Sequence, residues 1–367
     1  MKYIKKFNSI EEYNTFLDSA DYVIPNVCQV GSDIIKYNPL PVPLYVEAIE
    51  DLTVIFSGNA IQYSLDNNTW VDLPADTATP TIIAGTKVYF KANIKSISSA
   101  SGIGTFKISG NSNVGGNPKS LLHGDVATYK GDLSNYCFYQ LFRNNSKIID
   151  ASALELTSSS LKEYCYAYMF ERCTSLVTAP ELPATKLGYR CYASMFSECS
   201  SLINAPQLPA TNLATDCYQK MFYKCTSLIN APQLPAVELA QGCYTAMFYR
   251  CESLVSAPAL PATTLKSQCY GSSTHGGMFA YCISLVNAPE LPATFLQNQC
   301  YHQMFFGCSN LKYIKAMFTT TPSTSYTNSW LSGVAATGTF VKNAEATWDV
   351  TGVNGIPEGW TVETATE

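Results

Sequence analysis

The chain has 367 residues, a net charge of −5 and only 14% charged residues, against roughly 25% in typical soluble proteins. Its surface must be built from uncharged polar and aromatic groups, and with no basic run it disfavours nucleic-acid binding by phosphate neutralisation. No apolar run approaches the roughly 20 residues of a membrane-spanning helix, so no membrane insertion is expected.

Residues 1–38 form a first segment. The opening MKYIKKFNSIEEYNTFLDSA is basic at its start but lacks the apolar core of a secretory leader, so no signal peptide is expected in the chain as given. Ser9 and Glu12 have capping-box spacing, and Tyr13, Phe16 and Leu17 follow at helical spacing. A helix is predicted over 10–19 and a strand over Tyr22–Val30. Residues 39–127 change character. Tyr45–Ala48, Leu52–Phe56, Ile61–Leu65, Trp70–Leu73, Thr86–Ala92 and Gly104–Ile108 largely alternate apolar and polar, with turn residues such as Asp66-Asn67-Asn68 and Ser109-Gly110-Asn111 between them. Short strands at that spacing predict an N-terminal antiparallel β-sandwich-like domain.

Residues 128–316 are repetitive. The frame C-Y-x-x-M-F-x-x-C-x-S-L starts at Cys165, Cys191, Cys217 and Cys243, each 26 residues after the last. It returns at Cys269 with an insertion, Gly271–Gly277, and at Cys300 with Asn310 in place of Ser. Residues 128–164 read as a degenerate first copy, with Cys137, Leu141 and Phe142 in the frame and Asn145 where the second Cys would stand. In the clearest copy, Leu187, Cys191, Tyr192, Met195, Phe196 and Cys199 make an apolar stripe at i, i+4, i+5, i+8, i+9 and i+12, which predicts an amphipathic helix. Thr185, Thr211, Thr263 and Thr294 are placed to cap such helices, as Ser160 is with Glu163. Ser175–Pro180 and its equivalents predict a short strand that stops at the proline, followed by an extended return through Leu182 and Pro183. A unit of this size cannot bury its own stripe, so neighbouring units must stack.

This frame, L-x-x-x-C-Y-x-x-M-F-x-x-C-x-S-L-x-x-A-P-x-L-P, resembles the BspA-like, Treponema-type leucine-rich repeat found in gut Bacteroidetes and their phages. Phe196-Ser197-Glu198-Cys199 and Leu202 carry the match, while the 26-residue period, the early Cys-Tyr pair and the Ala-Pro depart from it. The resemblance covers about half of the chain. It implies an α/β leucine-rich-repeat solenoid, one helix and one short parallel strand per unit. It also implies a surface or adhesion role. The β-domain before the repeats is similar, more loosely, to domains in the same position in those proteins.

Residues 317–367 leave the frame. Gly338–Lys342 and Gly359–Glu363 read as closing strands, with Trp330, Trp348 and Trp360 covering the open end. Of the 14 cysteines, 12 are the paired frame positions. Two Cys eight apart on one helix are roughly 12 Å apart and cannot bridge, so they read as free, buried, small hydrophobes. Scattered histidines and the lack of a C-x2-C pair argue against zinc, and neither metal nor cofactor is expected.

Three constellations bear on chemistry. Ser120, His123 and Asp125 lie close in sequence, but closeness is not triad geometry, and no catalytic residue is assigned. The insertion around His275 breaks one unit as a surface loop. The third is a row with one small polar residue per unit: Thr178, Asn204, Asn230, Ser256 and Asn287. A second row, Glu181, Gln207, Gln233, Ala259 and Glu290, precedes each Leu-Pro. Thr178, Asn204, Asn230, Ser256, Asn287 and His275 are the candidate binding residues, whereas the six Tyr from Tyr166 to Tyr301 read as core. The expected function is non-enzymatic surface recognition by a phage tail-fibre or other virion-associated receptor-binding protein, or alternatively by a BspA-like bacterial adhesin. Its expected partner is a cell-surface protein or glycan, its place the virion or cell exterior, and a homo-oligomer is left open.

Overall fold

The computed structural model describes strand segments 5–7, 27–30 and 33–36 and residues 42–366, apart from 95–96, 99–103 and 125–132. The helix expected over 10–19 lies outside the described residues. Strands β1 (Lys5–Phe7), β2 (Val27–Val30) and β3 (Asp33–Lys36) make one small sheet, β1 parallel and β3 antiparallel to β2.

Seven strands follow: β4 (Leu44–Ala48), β5 (Val54–Ser57), β6 (Ile61–Ser64), β7 (Val71–Leu73), β8 (Lys87–Lys91), β9 (Thr105–Ile108) and β10 (Ser112–Gly116). β5 and β9 pair with each other, while β10-β4-β8-β6-β7 form an antiparallel sheet that β11 (Ile148–Leu154) joins in parallel at the β10 edge. Alternation decides which side chains go in. Val54, Phe56, Val88, Phe90, Phe106 and Ile108 are buried, and Phe106 packs against Phe56 and Phe90 at centroid distances of 4.7 and 4.9 Å.

The repeats overturn the expected α/β leucine-rich-repeat solenoid. Among the described residues no unit contains a helix. The protein is nearly all-β, with several small sheets, and its one helix among the described residues is the four-residue α1 (Ser120–His123). The segment expected to be helical is instead a run of tight turns. Arg190, Ser194 and Glu198 have φ of 51°, 54° and 62°, and the same left-handed position recurs at Tyr164, Tyr168 and Arg172 and at Asp216, Lys220 and Lys224. One left-handed residue in every four breaks an α-helix and closes a turn.

The backbone hydrogen bonds show what replaces the helix. The N–H groups of Cys165, Ala167, Met169, Glu171 and Cys173 donate three residues back, closing turns. Those of Tyr164, Tyr166, Tyr168, Phe170 and Arg172 donate instead to carbonyls of the next unit, Tyr189, Cys191, Ala193, Met195 and Ser197, at 2.8–3.0 Å. Half of each rung therefore binds itself and half binds its neighbour. A non-glycine residue in the left-handed region costs roughly 1–2 kcal/mol, and the inter-unit bonds hold it there. The threonines expected to cap helices have none to cap.

Stacked rungs align their side chains in rows. Phe142, Phe170, Phe196, Phe222, Phe248, Phe279 and Phe305 lie face to face at 5.3–5.7 Å. Tyr166, Tyr192, Tyr218, Tyr244, Tyr270 and Tyr301 form a second row at 5.7–6.1 Å, each at most 2% exposed. The 13 cysteines from Cys137 to Cys308 are buried and unpaired. The thiol of the second Cys of each unit donates to the Phe carbonyl of the unit before, as from Cys199 to Phe170 at 3.0 Å and from Cys225 to Phe196 at 3.1 Å.

The first and last rungs connect this stack to the rest. Asn145, in place of the second Cys, donates to the Phe106 carbonyl at 2.7 Å and accepts from the Ile108 N–H at 2.9 Å, so strand β9 takes the place of a preceding unit. Phe106 also stacks on Phe142, and a continuous core runs from Leu44 to Trp360. At the other end, carbonyls of Ser325, Tyr326, Asn328, Trp330 and Ser332 accept from the rung at 299–307, a further degenerate rung beyond residue 316. Within the fifth regular unit the insertion forms a hairpin of β12 (Gly271–Ser272) and β13 (Gly276–Gly277). Strands β14 (Tyr313–Ala316), β15 (Thr339–Lys342) and β16 (Thr361–Thr364) form a parallel sheet, and Trp330, Trp348 and Trp360 are buried at this end.

Candidate functional sites on two sides of the stack

The expected strand of each unit shrinks to a single bridging residue. Asn204 bridges Asn230, Asn230 bridges Ser256, Thr178 bridges Asp150 and Asn287 bridges Tyr313, all in parallel. Asn204, Asn230 and Ser256 therefore stand in one consecutive row, with Thr178 and Asn287 meeting the elements at either end. All five are exposed, and Asn230 Nδ2 donates to Asn204 Oδ1 at 2.8 Å. Val177, expected in the core, is exposed instead. So are Ile203, Ile229, Val255 and Val286, between 36% and 53%. Only the Leu before each of them, such as Leu176 and Leu202, turns inward. Successive side chains of extended chain point to opposite sides, so the inward Leu sends the following Val or Ile outward.

Beside this row the Ala-Pro-x-Leu-Pro returns leave shallow grooves. One is lined by Pro180, Glu181, Pro183, Pro206, Gln207 and Pro209, another by Pro261, Pro289, Glu290 and Pro292. The second polar row thus lines grooves next to the first.

His275 does not join the row. It lies at the tip of the β12–β13 hairpin on the turn side, where its Nδ1 is 2.7 Å from Thr274 Oγ1 and 3.3 Å from Ser272 Oγ. Burial, then the charges of Lys220 and Arg190, push its pKa below the ordinary histidine value. The turn side also holds polar groups that an amphipathic helix would turn to solvent. Ser194, Ser197, Gln219 and Thr245 are buried. Arg190 donates to Asp216 at 3.0–3.1 Å and to the Tyr164 hydroxyl at 3.3 Å. Tyr223 and Tyr249 stack at 4.8 Å, and Tyr249 meets Tyr281 edge to face. The turns from 134 to 308 bear Arg143, Lys162, Arg172, Arg190, Lys220, Lys224, Arg250 and Lys266 against Glu163, Glu171, Glu198, Asp216 and Glu252, an excess of cations on a chain of net charge −5.

Ser120 is structural. Its hydroxyl donates to the Phe90 carbonyl at 2.8 Å and accepts from the Leu44 N–H at 3.0 Å, tying α1 to β8 and β4, while Asp125 lies outside the described residues. Among the described residues no helix is long and apolar enough to cross a membrane. Comparison with protein-family models, with curated proteins and with solved structures finds no match to this chain.

Proposed function

We propose that this is a non-enzymatic surface-recognition protein, carried on a virion in the manner of a tail fibre, that binds a glycan or protein on a cell surface through its bridge-side row. One observation carries the reading: an exposed aliphatic next to an exposed polar residue, repeated once per unit from Val177-Thr178 to Val286-Asn287. A long exposed apolar stripe with polar groups beside it marks an interaction surface. Its regular spacing suits a ligand that is itself extended and repetitive. Contacts there would be amide hydrogen bonds and apolar patches, so binding should depend only weakly on salt.

The cysteines support the virion setting. Chains that fold in oxidising compartments commonly use cysteines as disulfides, whereas here the 13 cysteines from Cys137 to Cys308 are unpaired. Virion parts assemble in the reducing cytoplasm before they are displayed.

The test replaces Asn204 and Asn230 together by Ala. Thermal melting should be nearly unchanged, because both side chains are exposed. Attachment to a panel of bacterial cells should fall about tenfold, equivalent to losing roughly 1.4 kcal/mol of binding. A folded variant that attaches as well as the parent would remove the row from the site.

A further inference from the structure

We propose that the turn side holds a second binding site, for an anionic polysaccharide, centred on Lys220, Lys224 and Arg250. It lies away from the bridge-side row and does not depend on the reading of that row.

The charges there are poorly compensated. Among the described residues no carboxylate lies within ion-pair distance of Lys220 or Arg250, and Lys224 reaches only Glu198, at 3.8 Å, which also pairs with Arg172 at 3.3 Å. Three cations thus share part of one carboxylate. All three are held against the tyrosine row. The Lys220 and Lys224 ammonium groups lie 5.4 and 5.2 Å from the Tyr223 ring centre, and the Arg250 guanidinium lies 4.9 Å from that of Tyr281. Rings positioned this way steady the cations without neutralising them. Burial holds the Lys220 pKa below the ordinary lysine value, so an arriving anion would stabilise its charged form.

The hairpin supplies a wall. Gly276, at φ 88°, sits so close to Tyr249 that a Cβ there would come within 3.1 Å of the ring, which seats the hairpin on the same tyrosine row. Thr274 and His275 thereby stand beside the cations as hydrogen-bonding groups for sugar hydroxyls. A carboxylated sugar uses both features: its carboxylate meets the cations, and its hydroxyls meet the hairpin and the tyrosine hydroxyls. Single-stranded nucleic acid fits less well, because base stacking needs a free aromatic face. Tyr223 and Tyr249 already cover each other, and Glu198 and Asp216 would oppose a dense run of phosphates.

The experiment measures equilibrium binding of the full chain to an oligogalacturonate, with oligothymidine of equal charge as competitor. The parent should bind the uronate and lose affinity as salt is raised, because screening weakens the attraction between the cations and the uronate carboxylates. The double variant Lys220→Gln/Arg250→Gln should lose about tenfold or more, as removal of charge-assisted bonds implies. The single variant Arg250→Gln, at an exposed position, should lose about threefold with its melt nearly unchanged. The Asn204→Ala/Asn230→Ala variant should bind the uronate as the parent does. Failure of the parent to bind, binding by the double variant equal to that of the parent, tighter binding of oligothymidine, or a loss in the asparagine variant would each overturn the assignment.

Discussion

At Cys225 the side chain does more than fill space. Its Sγ donates to the Phe196 carbonyl at 3.1 Å, and the same bond recurs from Cys173, Cys199, Cys251, Cys282 and Cys308 to the unit before. The burial of these cysteines was readable from their spacing, but their donor role was not, because it depends on a neighbouring unit. Asn145 makes the point by substitution: where the partner is strand β9, an amide with two donors and an acceptor replaces the thiol. A hydroxyl can also donate, so Cys225→Ser should cost under about 1 kcal/mol. Cys225→Ala loses both the bond and the sulfur's packing and should cost about 2 kcal/mol. Denaturant midpoints give the order directly, and an Ala variant more stable than the Ser variant would show that this carbonyl does not need the donor.

At the scale of the element, the error of the helical reading lay in a small numerical difference. Leu187, Cys191, Met195 and Cys199 recur every four residues, not every 3.6. A helix advances about 100° per residue, so Leu187 and Cys199 would sit about 120° apart around it. A four-residue turn repeats in register and keeps all four on one side. Nothing else announced the turns, since the left-handed positions hold Arg190, Ser194, Glu198, Asp216 and Lys220, with few of the Gly or Asn residues that usually mark them. Asn144, Gly242, Gly307 and Gly333 are the exceptions. Because each unit bonds to its neighbours, units should be removable. Deleting residues 200–225 joins Cys199 to Thr226 in frame and should leave a chain that melts cooperatively, only at lower temperature. A soluble chain without a cooperative melt would show that the units are not equivalent.

Across the whole molecule, period and burial were legible and conformation was not. The 26-residue repeat, the two aromatic rows, the buried cysteines and the tryptophan-covered end follow from sequence spacing, because burial depends on which side chains are apolar. Of the candidate site, the sequence located the polar row and the hairpin but missed the exposed aliphatics beside that row. It also missed the cations gathered on the tyrosines, since both depend on how successive units superpose. The core passes without a break from β9 through Phe106 and Phe142 into the stack, so the β-domain serves as its first layer.

The whole architecture depends on one backbone choice made in every unit, and paired glycine substitutions test it. Ser194 is left-handed, at φ 54°, whereas its neighbour Ala193 is not. Ser194→Gly should raise the unfolding free energy by about 1 kcal/mol, by relieving the left-handed strain. Ala193→Gly should lower it by about 1 kcal/mol. In a helix both positions would be destabilised by glycine, so a loss of stability in both variants would contradict the stacked-turn account.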